Sequence, residues 1–185
     1  FKEMHTDGIR PNVVVCNALM RAFDRGEQWS RVLGLLGEMR EMGLVPDLIS
    51  YNTSISAVGR CSQWRLALAL LKSLAGVSLN PDVITYNATI SACDEGQEWQ
   101  QALHLLGMMP ANLLVPNQIT YNATIAACAN AKQWPHALGL VEEMRQRGLA
   151  ATAATHSGSL KASALAGRLR ELREDQVKDG PQGAG

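Results

Sequence analysis

Apolar and polar positions along this 185-residue chain fall into two alternating stripes. Tyr86, Ile90 and Cys93 stand at i, i+4 and i+7, as do Tyr121, Ile125 and Cys128, which is the spacing of one face of an α-helix. A second stripe, Trp134, Ala137, Leu138, Val141 and Met144, repeats as Trp99, Ala102, Leu103, Leu106 and Met109 and opens again at Trp64 and Trp29. Short polar stretches such as Asp94-Glu95-Gly96 part the first stripe from the second. Gly43 or Gly148 closes the second with a residue tolerant of positive φ. The pattern predicts helical hairpins, each made of a helix A and a helix B.

The hairpins keep one period. Pro11, Pro46, Pro81 and Pro116 stand 35 residues apart, and so do Trp29, Trp64, Trp99 and Trp134. Ser50-Tyr51-Asn52, Thr85-Tyr86-Asn87 and Thr120-Tyr121-Asn122 hold the same register, with Val15-Cys16-Asn17 as a looser first copy. One hairpin cannot bury both stripes, so neighbours must stack, and at least three are needed before the interior is continuous. Four copies therefore predict an all-α solenoid with repeats at 13–47, 48–82, 83–117 and 118–152. The Trp column is expected in its core, where Trp99→Ala would cost about 3–5 kcal/mol.

Both ends depart from the pattern. Residues 1–12 match the end of a preceding repeat, with Met4, Gly8 and Pro11 in register with Met39, Gly43 and Pro46, so the array is expected to continue upstream. After Gly148 the register weakens to Thr155-His156-Ser157, and Leu169 stands where Trp is due. Residues 153–177 are expected to form a degenerate repeat that caps the array, with Leu165, Leu169 and Leu172 among charged neighbours. A disordered tail is expected at 178–185.

Charge and candidate chemistry exclude several classes of function. Lys plus Arg equals Asp plus Glu at 17 each, so no global positive field draws in a polyanion. No apolar run approaches the ~18 residues of a membrane span, the longest being the six residues Leu66 to Leu71. The four cysteines are far apart with no C-x-x-C pair, which is neither a zinc spacing nor a small disulfide framework. His5, His104, His136 and His156 are scattered and form no catalytic constellation, and no H-x-E with C-x-x-C marks a deaminase. No catalysis, cofactor, metal, membrane or small-molecule substrate is expected.

The period, the stretch Pro81-Asp82-Val83-Ile84-Thr85-Tyr86-Asn87 and the following Ala102-Leu103-x-Leu105-Leu106 with Met109 resemble the pentatricopeptide repeat family, over about Phe1 to Thr155. The tetratricopeptide alternative usually runs 34 residues with a Trp-x-x-Leu-Gly opening that is missing here. The resemblance implies a right-handed α-solenoid whose A helices line a groove for single-stranded RNA, one base per repeat. It implies base selection by Asn17 with Asp47, Asn52 with Asp82, Asn87 with Asn117, and Asn122 with Thr152. Val14, Ile49, Ile84 and Ile119 would pack on the bases, and Arg25 and Arg60 would lie near the RNA backbone; the equivalent Glu95 and Asn130 do not fit that role. The family's preferences, uracil for Asn with Asp and cytosine or uracil for Asn with Asn, imply U-U-(C/U) followed by an undefined base. The implied setting is RNA processing, stability, editing or translation in a chloroplast or mitochondrion.

Physical chemistry supports part of this. Asn is a mediocre helix former, yet it holds one place in helix A of all four copies. Its amide suits the Watson–Crick edge of an unpaired base while an aliphatic neighbour covers the ring. The plainer account is local backbone bonding by the Asn residues, and turn or capping duty for the Pro-Asp and Pro-Asn pairs. Both roles can coexist. Asn52-Thr53-Ser54, Asn87-Ala88-Thr89 and Asn122-Ala123-Thr124 also match the glycosylation pattern, although a packed helix is a poor acceptor. Base stacking contributes about 1–3 kcal/mol per base against an association cost of about 4–15 kcal/mol, so four repeats alone are expected to bind weakly. A helical scaffold for protein partners is the alternative that the neutral charge favours.

Overall fold

The computed structural model describes residues 12–150. Eight α-helices run in order: α1 Val13–Arg25, α2 Trp29–Glu41, α3 Leu48–Arg60, α4 Trp64–Gly76, α5 Val83–Glu95, α6 Trp99–Met108, α7 Gln118–Asn130 and α8 Trp134–Gln146. A 3-10 turn, Pro110–Asn112, follows α6, where Pro110 ends the helix early. The odd-numbered helices are the A helices of the four hairpins and the even-numbered ones the B helices.

Start signals in the sequence become caps. Asn12, Asp47, Asp82 and Asn117 stand at the N-caps of the four A helices, each accepting from a backbone amide three residues on. In the last three the hydroxyl of Ser50, Thr85 or Thr120 also accepts from the backbone amide of the cap residue, closing a reciprocal box. The residue that closes one repeat thus starts the first helix of the next.

Turns also keep the period, through residues in the left-handed region. Between A and B these are Glu27, Ser62, Gln97 and Lys132; after B they are Gly43, Ser78, Leu113 and Gly148. Gly43 and Gly148 fill the role foreseen for them. Gly96 lies in the A–B turn as expected, with an ordinary φ of −83°. A Cβ added at Gly96 would lie 2.3 Å from Trp64, so the indole itself requires glycine there. The A–B turn is shorter than expected, since α5 runs through Asp94 and Glu95.

Each A helix packs against its own B helix and against the A helices before and after it, while each B helix also touches the following A helix. Among the described residues the backbones of successive B helices stay apart, and the contact between them is through side chains, as where the rings of Trp99 and His136 lie 4.9 Å apart. A row of hairpins that is tight on one side and open on the other bends with the tight side inward, so the A helices form the concave wall.

The interior is continuous along the row. Cys16, Met20, Leu36, Met39 and Tyr51 form one part, Tyr86, Ile90, Cys93, Ala102 and Met109 another, and Tyr121, Ile125, Cys128, Ala137 and Met144 a third. The tryptophans lie at the margin of this core rather than inside it, half-buried at the first position of each B helix, and Trp29, Trp64 and Trp99 lean on the neighbouring repeat. Close approach of the A helices rests on small residues: Ser54, Thr89 and Thr124 are buried and donate back to the carbonyl four residues earlier. Those hydroxyls are the third positions of the glycosylation-like triplets, and their burial leaves no room for an acceptor site.

Candidate nucleic-acid interface

The concave wall carries a row of exposed aliphatic side chains where packing would have buried them. Val14, Ile49, Ile84 and Ile119 are 75%, 48%, 64% and 62% exposed, each at the second position of an A helix. They are the residues expected to lie against bases. An apolar side chain presented to solvent at the same place in four successive repeats is not required by the core, so it is available to a partner.

Beside them runs a ladder of amides. Asn17 Nδ2 donates to Asp47 Oδ1 at 3.0 Å, Asn52 Nδ2 to Asp82 Oδ1 at 3.4 Å, and Asn87 Nδ2 to Asn117 Oδ1 at 3.5 Å. Every pair expected from the sequence is thus brought together except Asn122 with Thr152, which lies outside the described residues. Asn17 and Asn87 are largely buried at 7% and 9% exposure, and Asn52 and Asn122 are half-buried, wedged between adjacent A helices. Each rung therefore offers an edge to the groove rather than a free side chain.

Which atoms face the groove follows from the caps. Oδ1 of Asp47 accepts the Ser50 amide at 2.9 Å, and Oδ1 of Asp82 accepts that of Thr85 at 2.8 Å. Asn117 must likewise turn its oxygen to the Thr120 amide, 3.1 Å away, because only oxygen can accept there. What remains unused among the described residues is an acceptor, Oδ2, on Asp47 and Asp82, but a donor, Nδ2, on Asn117. Burial alone would raise the carboxyl of Asp47, but hydrogen bonds from the Ser50 amide, Asn17 and the Ser50 hydroxyl outweigh it and hold the group below its ordinary value. Asp82 is held down the same way, by Thr85 and Asn52. Both are anions at neutral pH.

The asparagine oxygens behave unequally. Ser50 Oγ lies 2.6 Å from Asn17 Oδ1 and 2.9 Å from Asp47 Oδ1, its single proton shared between them. Among the described residues, Oδ1 of Asn52, Asn87 and Asn122 is buried with no partner. The hydroxyl of Ser50 thus joins the asparagine of its rung to the cap, while those of Thr85 and Thr120 donate only to the cap residues Asp82 and Asn117, a part in the site that the sequence reading missed although its 35-residue recurrence was visible.

At the far end of the A helices the expected cations separate. Arg25 is exposed. Arg60 instead pairs with Asp24 across the repeat boundary at 3.1 Å and donates to Ser56 at 3.3 Å. At the equivalent boundary further on, Asn130 donates to Asp94 at 2.8 Å beside Glu95, so this end of the groove turns acidic along the array. Burial raises the carboxyl of Asp24, partly countered by Arg60. Burial likewise raises that of Asp94, countered by Asn130 and reinforced by Glu95. A cavity of about 300 Å3 opens on the concave wall where Ile49, Asn52 and Ile84 converge, and Arg21 of α1 also lines it.

Nothing else in the described residues resembles a catalytic centre. No three His, Cys, Asp or Glu gather as metal ligands there, and no helix is long and apolar enough to cross a membrane. Burial pushes the thiols of Cys93 and Cys128 up to about 12 and about 11, the values of inert core cysteines rather than nucleophiles.

Comparison with known proteins agrees with this architecture. No curated protein matches the sequence. Among solved structures, the pentatricopeptide repeat protein PPR10 from maize superposes with a TM-score of 0.79 at 23% identity, over 97% of this chain and 26% of that one. PPR10 in complex with an 18-nt psaJ RNA element gives 0.77 at 24% identity, over 94% of this chain and 26% of that one. The PPR domain of Arabidopsis thaliana protein-only RNase P 1, in complex with tRNA, gives 0.74 at 13% identity, over 88% and 86%. The chain therefore spans about a quarter of the length of the maize protein. The family descriptions "Pentatricopeptide repeat domain" and "PPR repeat family" match residues 1–61, and 81–130 with 116–164, which together cover most of the sequence: this chain belongs to the pentatricopeptide repeat family.

Proposed function

We propose that the concave wall binds single-stranded RNA in a sequence-specific manner, one base to each of the repeats 13–47, 48–82, 83–117 and 118–152. The observation that carries the reading is the register of exposed aliphatics beside amide rungs, Ile49 with Asn52–Asp82 and Ile84 with Asn87–Asn117. An aliphatic group covers a base face while the rung addresses its edge. Crystals of PPR10 and of the PPR domain of protein-only RNase P 1 hold RNA on related scaffolds, which supports the partner class.

The atoms left over at the rungs support the base preferences. An Asp Oδ2 acceptor complements the N3–H donor of uracil, and an Asn Nδ2 donor complements the N3 acceptor of cytosine. Asp47 and Asp82 then take uracil and Asn117 admits cytosine, giving U-U-(C/U) from 5′ to 3′. The setting we infer is RNA processing, stability, editing or translation within a chloroplast or mitochondrion, with the chain acting by occlusion or recruitment rather than catalysis.

Asn87→Thr tests the site. The family's rule makes the third base shift toward adenine, read by competition among short RNAs that differ only there; an unchanged preference would reject the assignment. A protein-binding scaffold is the second reading, favoured by the acidic groove end at Asp94 and Glu95. RNA affinity that falls steeply with salt and prefers pyrimidines decides against it.

A further inference from the structure

We propose that Arg21 is a phosphate-binding residue that holds the RNA backbone between the first and second nucleotides, an inference that rests on the RNA-binding reading above. Arg21 is exposed and makes no hydrogen bond or ion pair among the described residues. It belongs to α1 of the first repeat, yet together with Asp24, whose charge Arg60 meets at 3.1 Å, it lines the cavity where Ile49, Asn52 and Ile84 of the next repeats converge. A group reaching from one repeat into the slot of the next meets the linkage between two bases rather than either base edge. The guanidinium fork matches phosphate oxygens, and Arg21 is free to turn toward them.

Arg60, the neighbouring cation expected from the sequence to do this, is committed elsewhere. Its partner Asp24 is only 8% exposed, and its second oxygen has no partner among the described residues. Drawing Arg60 off to a phosphate would strand a buried carboxylate. The positions equivalent to Arg21 are Ser56, Ser91 and Ala126, so the contact is unique to the first repeat.

The test is equilibrium binding of the full 185-residue chain to a short labelled single strand containing U-U-C across a series of monovalent salt concentrations. Each phosphate contact on a single strand contributes about 0.7 to the slope of log affinity against log salt. Arg21→Gln should flatten the slope by about that amount, so the wild-type advantage shrinks roughly 2.5-fold between about 50 and 200 mM salt. Arg21→Lys should keep the slope, and the loss in Arg21→Gln should be the same whichever bases the strand carries. Thermal unfolding of Arg21→Gln should match the wild type, whereas Arg60→Gln should melt earlier with its slope intact. An unchanged slope in Arg21→Gln, a loss that depends on base identity, or a flattened slope in Arg60→Gln would each overturn the proposal. Wild-type chain with no salt-dependent RNA binding would instead remove the RNA reading itself.

Discussion

The first and third repeat junctions are built on the same backbone and offer different chemistry. At the first, Asn17 is held at both ends, by Asp47 and by Ser50, and Gly43 makes the turn before it. At the third, Asn87 sits 3.5 Å from a neutral Asn117, its own oxygen has no partner, and Leu113 occupies the turn. The cap is nonetheless made in both, at 2.9 Å by Asp47 and at 3.1 Å by Asn117. Capping therefore does not need the negative charge, and the choice between Asp and Asn is left open to recognition. Stability belongs to what the junctions share, and the selectivity proposed above to where they differ.

The largest expected effect strikes the shared interior. Ile90 is fully buried between Tyr86, Cys93 and Ala102. Ile90→Ala should lower the unfolding free energy by about 2–5 kcal/mol in urea titrations, and a loss below about 1 kcal/mol would mean that the core is not what holds the row together. The Trp column ranks lower than its sequence pattern implies: Trp99 is half-buried, so its truncation belongs near the bottom of the range for core aromatics. Asp82→Ala comes next. It removes the acceptor for the Thr85 amide and hydroxyl and strands Asn52 Nδ2, for about 1–2 kcal/mol by the same titration. A change within error would show the cap to be idle.

Leu113 separates the junctions in the opposite direction. It holds φ 60° while 94% exposed, so it bears the strain of the left-handed region with no packing in return. Leu113→Gly should restore what Gly43 has and raise stability by about 0.5–1 kcal/mol, the relief of strain being offset in part by added freedom in the unfolded chain. A lower melting temperature would mean that Leu113 makes contacts worth more than its strain.

How much of this was legible in the sequence follows from what a period can encode. Hairpins, helix starts at the Pro-Asp and Pro-Asn pairs and the row of second-position aliphatics all recur every 35 residues, so self-comparison finds them. Charge pairs between copies do not recur. Arg60 meets Asp24 because those two copies carry those residues, while at the next boundary Gly59 comes within contact of Ala92 instead. Arg21 acquires its place only when α1 stands beside α3. Left-handed Glu27, Ser62, Gln97 and Lys132 escaped notice for another reason: the turn imposes that φ on residues with no preference for it, and the nearby glycine of one copy, Gly96, answers to Trp64 rather than to the turn.

The smallest effect on stability is the sharpest test of the division between scaffold and reading. Asp47→Asn gives the first junction the cap residue of the third. Its Oδ1 can still accept from Ser50, as Asn117 accepts from Thr120, so unfolding at neutral pH should change by less than about 0.5 kcal/mol. Acid behaviour should differ. Because the folded-state pKa of Asp47 lies below that of the unfolded chain, its contribution is complete above the ordinary carboxylate value and is lost as pH falls through the folded one. Below about pH 4 the wild type should therefore lose stability that Asp47→Asn does not. The same substitution replaces an acceptor at the groove with a donor, so the first base should move from uracil toward cytosine. A neutral-pH stability that held while uracil preference also held would leave Asp47 a helix cap and nothing more.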